Sequence, residues 1–334
     1  MRFTAARRPI SVVEPDLVRI SELWPHRRLP VQVTPEVEGV DLAEWLSVCA
    51  ADIEPLLVQH GGVLFRGFDV RTGVDFARVV RSFSTELIEY KERSTPRSAV
   101  GSFVYTSTEY PADQAIPLHN ENSYSHTWPQ QIWFFCERAA EAGGETSIAD
   151  SREVFRLLDA GLRERFSDRR VSYVRNYSAS LGLSWQETFQ CDSKADVERY
   201  CRQSGIHCQW AGRRLTTRQT RQATTHHPVT GEAIWFNQAH LFHASSLPPD
   251  VYRSLTSSVS EEEFPRHAYY GDGTPIEAAA LDHIRDVYTR AQERVRWQNG
   301  DVLLLDNMLT AHGRFPYRGS RRVLVTMARP CAAV

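Results

Sequence analysis

The chain has 334 residues, of which 42% are hydrophobic and 24% charged, and its net charge is −2. Those values describe a globular protein of one large or two ordinary domains, long enough to bury a substantial core. They exclude the basic footprint of a nucleic-acid binder, and no apolar run is long enough to span a bilayer.

Residues 1–40 are rich in Pro and Val without a sustained period and read as an extended lead-in. Asp41 opens an amphipathic helix in which Leu42, Trp45, Leu46, Cys49, Ile53, Leu56 and Leu57 recur at helical spacing, and His60-Gly61-Gly62 ends it. Val63-Leu64-Phe65 is a short buried strand, and Thr72 caps a second helix carrying Phe76, Val79, Val80 and Phe83. An aromatic-rich strand is expected over 131–139 and another over 146–149. Asp150 and Glu153 have capping-box spacing ahead of Val154, Leu157 and Leu158. Residues 184–204 look helical, and the region from about 150 to 230 reads as an insertion between core strands rather than a domain. A helix over 275–294 precedes a buried strand over 301–306, and a last strand covers 322–327.

The N-terminus carries charge but no apolar core, so it is not a secretory signal. The six cysteines show no CxxC or framework spacing, which reads as free thiols in a reducing cytoplasm. Cys201, His207 and Cys208 cluster, but lack a fourth ligand at zinc spacing.

The segment Pro117-Leu118-His119-Asn120-Glu121-Asn122-Ser123-Tyr124 carries the chemistry. On an extended backbone His119 and Glu121 point to the same side, so both can bind one ion. A distant His312, in Asp306-Asn307-Met308-Leu309-Thr310-Ala311-His312-Gly313-Arg314, completes two imidazoles and a carboxylate. Such a triad leaves open positions and is diagnostic of non-heme Fe(II) oxygenases, although zinc hydrolases use the same ligand types. Taken alone, the His-x-Glu pair also suits a polar surface loop.

The ordered set of motifs is more specific. Gly62-Val63-Leu64-Phe65-Arg66-Gly67-Phe68, the His119 segment, Gly143-Gly144-Glu145-Thr146-Ser147-Ile148-Ala149-Asp150, Ile234-Trp235-Phe236-Asn237-Gln238-Ala239-His240, the His312 segment and Arg321-Arg322-Val323-Leu324-Val325-Thr326-Met327 occur in that order. From about Gly61 to Arg329 the chain resembles the taurine dioxygenase and clavaminate synthase-like family of Fe(II)/2-oxoglutarate-dependent oxygenases. Glu121 stands where many members have Asp.

The resemblance implies an α+β protein, a single oxygenase domain built on a double-stranded β-helix, a jelly-roll core with flanking helices and a helical insertion. It implies Fe(II) held by His119, Glu121 and His312, with 2-oxoglutarate and O2 as co-substrates. Arg322, ten residues after His312, is the implied anchor for the distal carboxylate of 2-oxoglutarate, and Thr146 donates a hydroxyl to it. In a regular final strand Arg322, Leu324 and Thr326 share a face. A register slipped by one puts Arg321 there instead, and Arg318 is a weaker candidate. Asn122, Ser123, Tyr124, Asn237 and His240 are the candidate substrate residues, whereas Trp133, Phe135 and Trp235 are expected in the core.

The expected reaction is hydroxylation of an unactivated C–H bond, with desaturation, cyclisation or epoxidation open to the same ligands. Glu121 disfavours halogenation, which needs the carboxylate's place for halide. The expected substrate is a small molecule, an amino acid or amino-acid-derived group, free or on a carrier protein in natural-product assembly, or else a small organic acid or sulfonate. A zinc hydrolase would need neither 2-oxoglutarate nor Arg322, and a non-catalytic binding module would not need the ligands. No nucleic-acid or membrane partner is expected.

Overall fold

A computed structural model of the chain describes residues 17–332, apart from 26, 90–91, 93–98, 102, 108–109 and 178–181. The lead-in expected over 1–16 lies outside the described residues. Beyond it, β1 (Val18–Trp24) and β2 (Arg27–Pro35) form an antiparallel hairpin, so this part of the lead-in is sheet. α1 (Leu42–His60) begins at Asp41, whose carboxylate accepts from the Glu44 amide, and ends at Gly61 in the left-handed conformation. Its Leu42, Trp45, Leu46, Ile53 and Leu57 are buried, whereas Val48, on the opposite side, is exposed. β3 (Gly62–Phe65) then pairs parallel to β2, and α2 (Gly73–Phe83) starts at a capping box made by Thr72 and Asp75.

β4 (Ala99–Gly101), β5 (Val104–Thr106), β6 (Ile116–His119), β7 (Thr127–Arg138), β8 (Ala142–Gly143) and β9 (Thr146–Asp150) lead to α3 (Ser151–Leu157) and α4 (Ala160–Arg169). Asp150 caps α3 through the Arg152 amide and is also gripped by the Arg152 guanidinium. Glu153 pairs with Arg156 instead of reaching back, so the expected capping box is absent. The middle of the chain holds β10 (Val171–Tyr177), α5 (Trp185–Phe189), α6 (Lys194–Gln203), β11 (His207–Ala211), β12 (Arg214–Arg221), β13 (Thr224–His226), β14 (Ala233–Trp235), α7 (Ala239–Phe242), α8 (Pro249–Ser258), β15 (Arg266–Tyr270) and α9 (Ala278–Ala291). β16 (Glu293–Val295), β17 (Val302–Asp306), β18 (Thr310–Arg314), β19 (Tyr317–Arg318) and β20 (Arg322–Ala332) complete it.

Two sheets frame the centre. One has the strand order β1-β2-β3-β17-β7-β20-β5-β4, the other β16-β9-β18-β6. Ile132, Phe134, Leu303, Leu305, Val323, Val325 and Met327 of the larger sheet pack with Ile148 and Val295 of the smaller. The alternate residues Trp133, Phe135, Val302, Leu304 and Leu324 pack on α1 and α2, so the central strands are covered on both faces. The outer face of the smaller sheet, with Ala149 and Ala311, joins a second core with α3, α4 and α9.

A further sheet, β11-β12-β10-β15, lies wholly between β9 and β16 in the chain. The interruption between core strands therefore spans 151–292, longer than the expected 150–230, because β15 returns to β10 before the core resumes. It contains strands as well as helices.

Next to this sheet the rings of His243 and His267 stack with centroids 4.2 Å apart. Each uses Nδ1 as an acceptor, His243 from the Ser245 amide and His267 from the Ala244 amide. Burial pushes both down to about 4. In the unfolded chain they titrate near 6.5, so between pH ~6.5 and ~4 the unfolded state binds more protons. Their contribution is complete above pH ~6.5 and falls on acidification, by at most about 1.4 kcal/mol per pH unit for the His267 ring. The urea midpoint should drop between pH 7 and pH 5, and His267→Asn, which keeps an acceptor, should flatten that dependence. Equal pH slopes in both proteins would refute it.

Candidate active site

β6 and β18 pair antiparallel with His119 directly opposite His312, and the two ring centroids are 4.6 Å apart. Glu121 follows β6 in a buried turn, with a carboxylate oxygen 3.9 Å from His312 Nε2. One donor atom from each of His119, Glu121 and His312 lies within 4.8 Å of the other two, the one such cluster found among the described residues. His119 Nδ1 donates to the Pro117 carbonyl at 2.8 Å, which fixes the tautomer and leaves Nε2 as the atom that could coordinate a metal. The edge of Phe134 packs on the His312 ring at 5.2 Å. Two imidazoles beside a buried carboxylate form a fitting donor set for a divalent iron. Gly313 can only be glycine, since a Cβ would lie 2.5 Å from the Ile116 carbonyl oxygen.

A side chain that sequence reasoning missed holds this turn. Asn307 accepts from the Glu121 amide at 2.7 Å and donates to the carbonyls of Glu121 and Pro129, at 2.9 and 2.8 Å. Asn120 donates to the Asn307 carbonyl and to Ser151, and Gln238 donates to the Asn120 carbonyl. Asp306, held by the buried ring of His227, accepts from the amides of Met308 and Leu309 and shapes the turn presenting Asn307. Asn307→Leu keeps the volume but leaves an amide and two carbonyls unmet, at about 1–3 kcal/mol each. Its iron affinity should fall about 10–100-fold, as for other supports of metal ligands. An unchanged Fe(II) titration would show that the turn holds without Asn307.

His119 and His312 line a cavity together with Phe134, Val323, Val325, Thr146, Arg314 and Arg321. Here the expected placement of Arg322 is corrected. Arg322 is half exposed on the far side of β20 and pairs with Glu137 at 2.7 Å. Arg321 shares the inward face with Val323 and Val325, because alternation along β20 puts Leu324 against the outer helices. Its Nε donates to the Gly144 carbonyl, and a Cβ on Gly144 would crowd its stem at 3.0 Å. Burial, then the nearby Arg314 charge, lower Arg321 to about 10, and among the described residues no carboxylate pairs with it. Arg314 is anchored by the carbonyls of Tyr110, Pro111 and Gln114. Thr146 Oγ accepts from the Trp297 indole at 3.0 Å and can still donate. Arg318 lies exposed on β19.

The expected substrate residues are placed as follows. Ser123 Oγ donates to the Asn120 carbonyl, and Asn237 ties the Ala223 carbonyl to the Ala239 amide. His240 contacts the Leu118 carbonyl, next to His119. Tyr124 donates to the Glu92 carbonyl and packs on Tyr173 and Phe242. Asn122, with φ +56°, lines a different cavity with Glu92 and Trp128. Trp133, Phe135 and Trp235 are fully buried in the core.

Residues 26–328 match the family described as Taurine catabolism dioxygenase TauD, TfdA family. The chain belongs to this family. It is 41% identical over 279 residues to the dapdiamide synthesis protein DdaC of Enterobacter agglomerans, covering 83% of this chain and 85% of that one. Identity to a clavaminate synthase-like protein of Arabidopsis thaliana is 30% over 289 residues, covering 83% and 84%. The crystal structure of PvcB from Pseudomonas aeruginosa shares the fold, with a TM-score of 0.56 at 18% identity over 94% of this chain and 92% of that one. A further PvcB structure, described as an Fe, alpha-ketoglutarate dependent oxygenase from an isonitrile synthetic pathway, covers 96% and 94% with the same score. The protein is a 2-oxoglutarate-dependent non-heme iron dioxygenase of mixed α and β structure. No helix among the described residues is long and apolar enough to cross a membrane.

Proposed function

We propose that this dioxygenase hydroxylates an amino-acid-derived group during natural-product assembly, free or on a carrier protein. The 41% identity to a dapdiamide synthesis protein carries the substrate class. The two framing sheets are read as a double-stranded β-helix, and the whole chain as one oxygenase domain around it.

His119, Glu121 and His312 are assigned to iron. Bound iron, with 2-oxoglutarate and O2, supplies oxidation of an unactivated C–H bond as the keto acid is decarboxylated to succinate and CO2. At the other end of the cavity Arg321 is assigned to the distal carboxylate of 2-oxoglutarate, where its planar fork fixes orientation as well as charge. Thr146 donates to the same carboxylate, and Arg314 adds positive charge. Val323, Val325 and Phe134 form apolar walls between the two ends and limit water around the keto acid. This cationic end favours an oxygenase over a zinc hydrolase, which has no use for it. With Glu121 assigned as the third protein ligand, halide would have no place there.

The test is product analysis with Fe(II), 2-oxoglutarate, O2, excess chloride and a substrate found by succinate release from free and carrier-bound amino acids. An oxygenated or desaturated product with stoichiometric succinate is expected. A chlorinated main product, or turnover without 2-oxoglutarate, would overturn the assignment.

A further inference from the structure

The four-stranded sheet of the interruption carries an arrangement that the iron site does not use. Arg175 on β10 and Arg266 on β15 are directly opposite one another across an antiparallel pair. Like charges in that position repel, and both are withdrawn from bulk water. Glu92 is buried within electrostatic reach of Arg175 and receives a hydrogen bond from Ser125. No carboxylate among the described residues acts on Arg266 in the same way. Among the described residues its guanidinium has no carboxylate partner and no side-chain hydrogen bond. It lies within electrostatic reach of Tyr110 and Tyr124, with the Phe242 ring 5.6 Å below it. Burial and the Arg175 charge hold it below the usual arginine range. Tyr124 is three residues beyond Glu121, and the Tyr110 carbonyl anchors Arg314 of the iron-site cavity. Phe242 in turn packs on Tyr124 at 4.9 Å, so Arg266 is linked through two rings to the turn that carries Glu121, on the interruption's sheet and apart from the cationic end assigned to 2-oxoglutarate. A half-buried, like-charge-opposed cation is costly in the empty protein and becomes favourable once an anion with two acceptor oxygens arrives.

We infer that Arg266 is the receptor for a free carboxylate on the substrate. This rests on the substrate reading above and sharpens it: the group that meets Arg266 is an ionised acid, not a thioester, ester or amide. An amide offers one acceptor and no charge, so the planar fork discriminates against it.

The first test needs no substrate. The protein is loaded with Mn(II) and N-oxalylglycine, which fill the metal site and the 2-oxoglutarate cavity. Its melting temperature is then read in sodium acetate and in sodium chloride at equal ionic strength. At acetate about tenfold above its Kd, wild type should melt about 2 °C higher than in chloride. Arg266→Met should melt higher than wild type in chloride, since the repulsion is gone, and should show no acetate response. Arg266→Gln gives the same comparison if the methionine variant does not fold. Equal acetate shifts in wild type and variant, or none in wild type, would overturn the inference.

The second test is the succinate screen with each free L-amino acid or dipeptide paired with its primary amide. The acid should be preferred about 10–100-fold in kcat/KM, and Arg266→Gln should raise KM with little change in kcat. An amide as good as its acid would refute the carboxylate site. Silence across the screen with the acetate response intact would instead reject the amino-acid-derived substrate and leave the site standing.

Discussion

Alanine at His312 should reduce substrate-coupled succinate formation to the level of free iron and lower bound Fe(II) from one per chain to almost none. The ring is the proposed iron ligand on β18, and it faces His119 across the β6–β18 pair. Without it, one imidazole and one carboxylate remain, too few to hold iron against water and buffer. The fold should survive, because β18 is still paired on both sides, with β9 and β6, and Asn307 still grips the turn after β6. His119→Ala should behave alike. Metal content and a thermal melt, run beside the assay, separate loss of ligation from loss of structure. Full activity with full iron in either variant would end the triad assignment.

The second large effect separates two adjacent arginines. Arg321→Ala should raise the KM for 2-oxoglutarate by roughly 30- to several thousand-fold, the range for deleting one partner of a buried charge pair, about 2–5 kcal/mol. Arg322→Ala should change it less than about twofold, since an exposed ion pair such as that with Glu137 contributes about 0–1 kcal/mol. Arg321→Lys should fall between, because a point charge replaces the fork. A larger effect from Arg322 would place β20 in the opposite register.

That reversal shows what the sequence could reveal. The helices at Asp41 and Thr72 were legible, since caps and apolar spacing act locally. So was the grouping of His119, Glu121 and His312, which the structure gathers within 4.8 Å. The face of β20 was not. Burial along it is almost continuous, with helices on one side and the smaller sheet on the other, so alternation carried no sign of which side looks inward. Asn307 lay inside a quoted motif, but its role depends on contacts with residues almost 190 positions away, which no local pattern encodes. The extra sheet after β9 was hidden for the same reason, since β15 pairs with β10 across a span of helices and four further strands.

Asn307 grips the backbone of Glu121 and leaves its side chain out of the bargain. The path of the chain at position 121 is therefore set independently of which side chain is mounted there. A shorter residue at this position would leave the neighbouring imidazoles where they are and open one vacant corner on the metal. On the proposed iron assignment, Glu121→Ala or Glu121→Gly is then the shortest step by which such a protein could be turned toward new bond-forming chemistry.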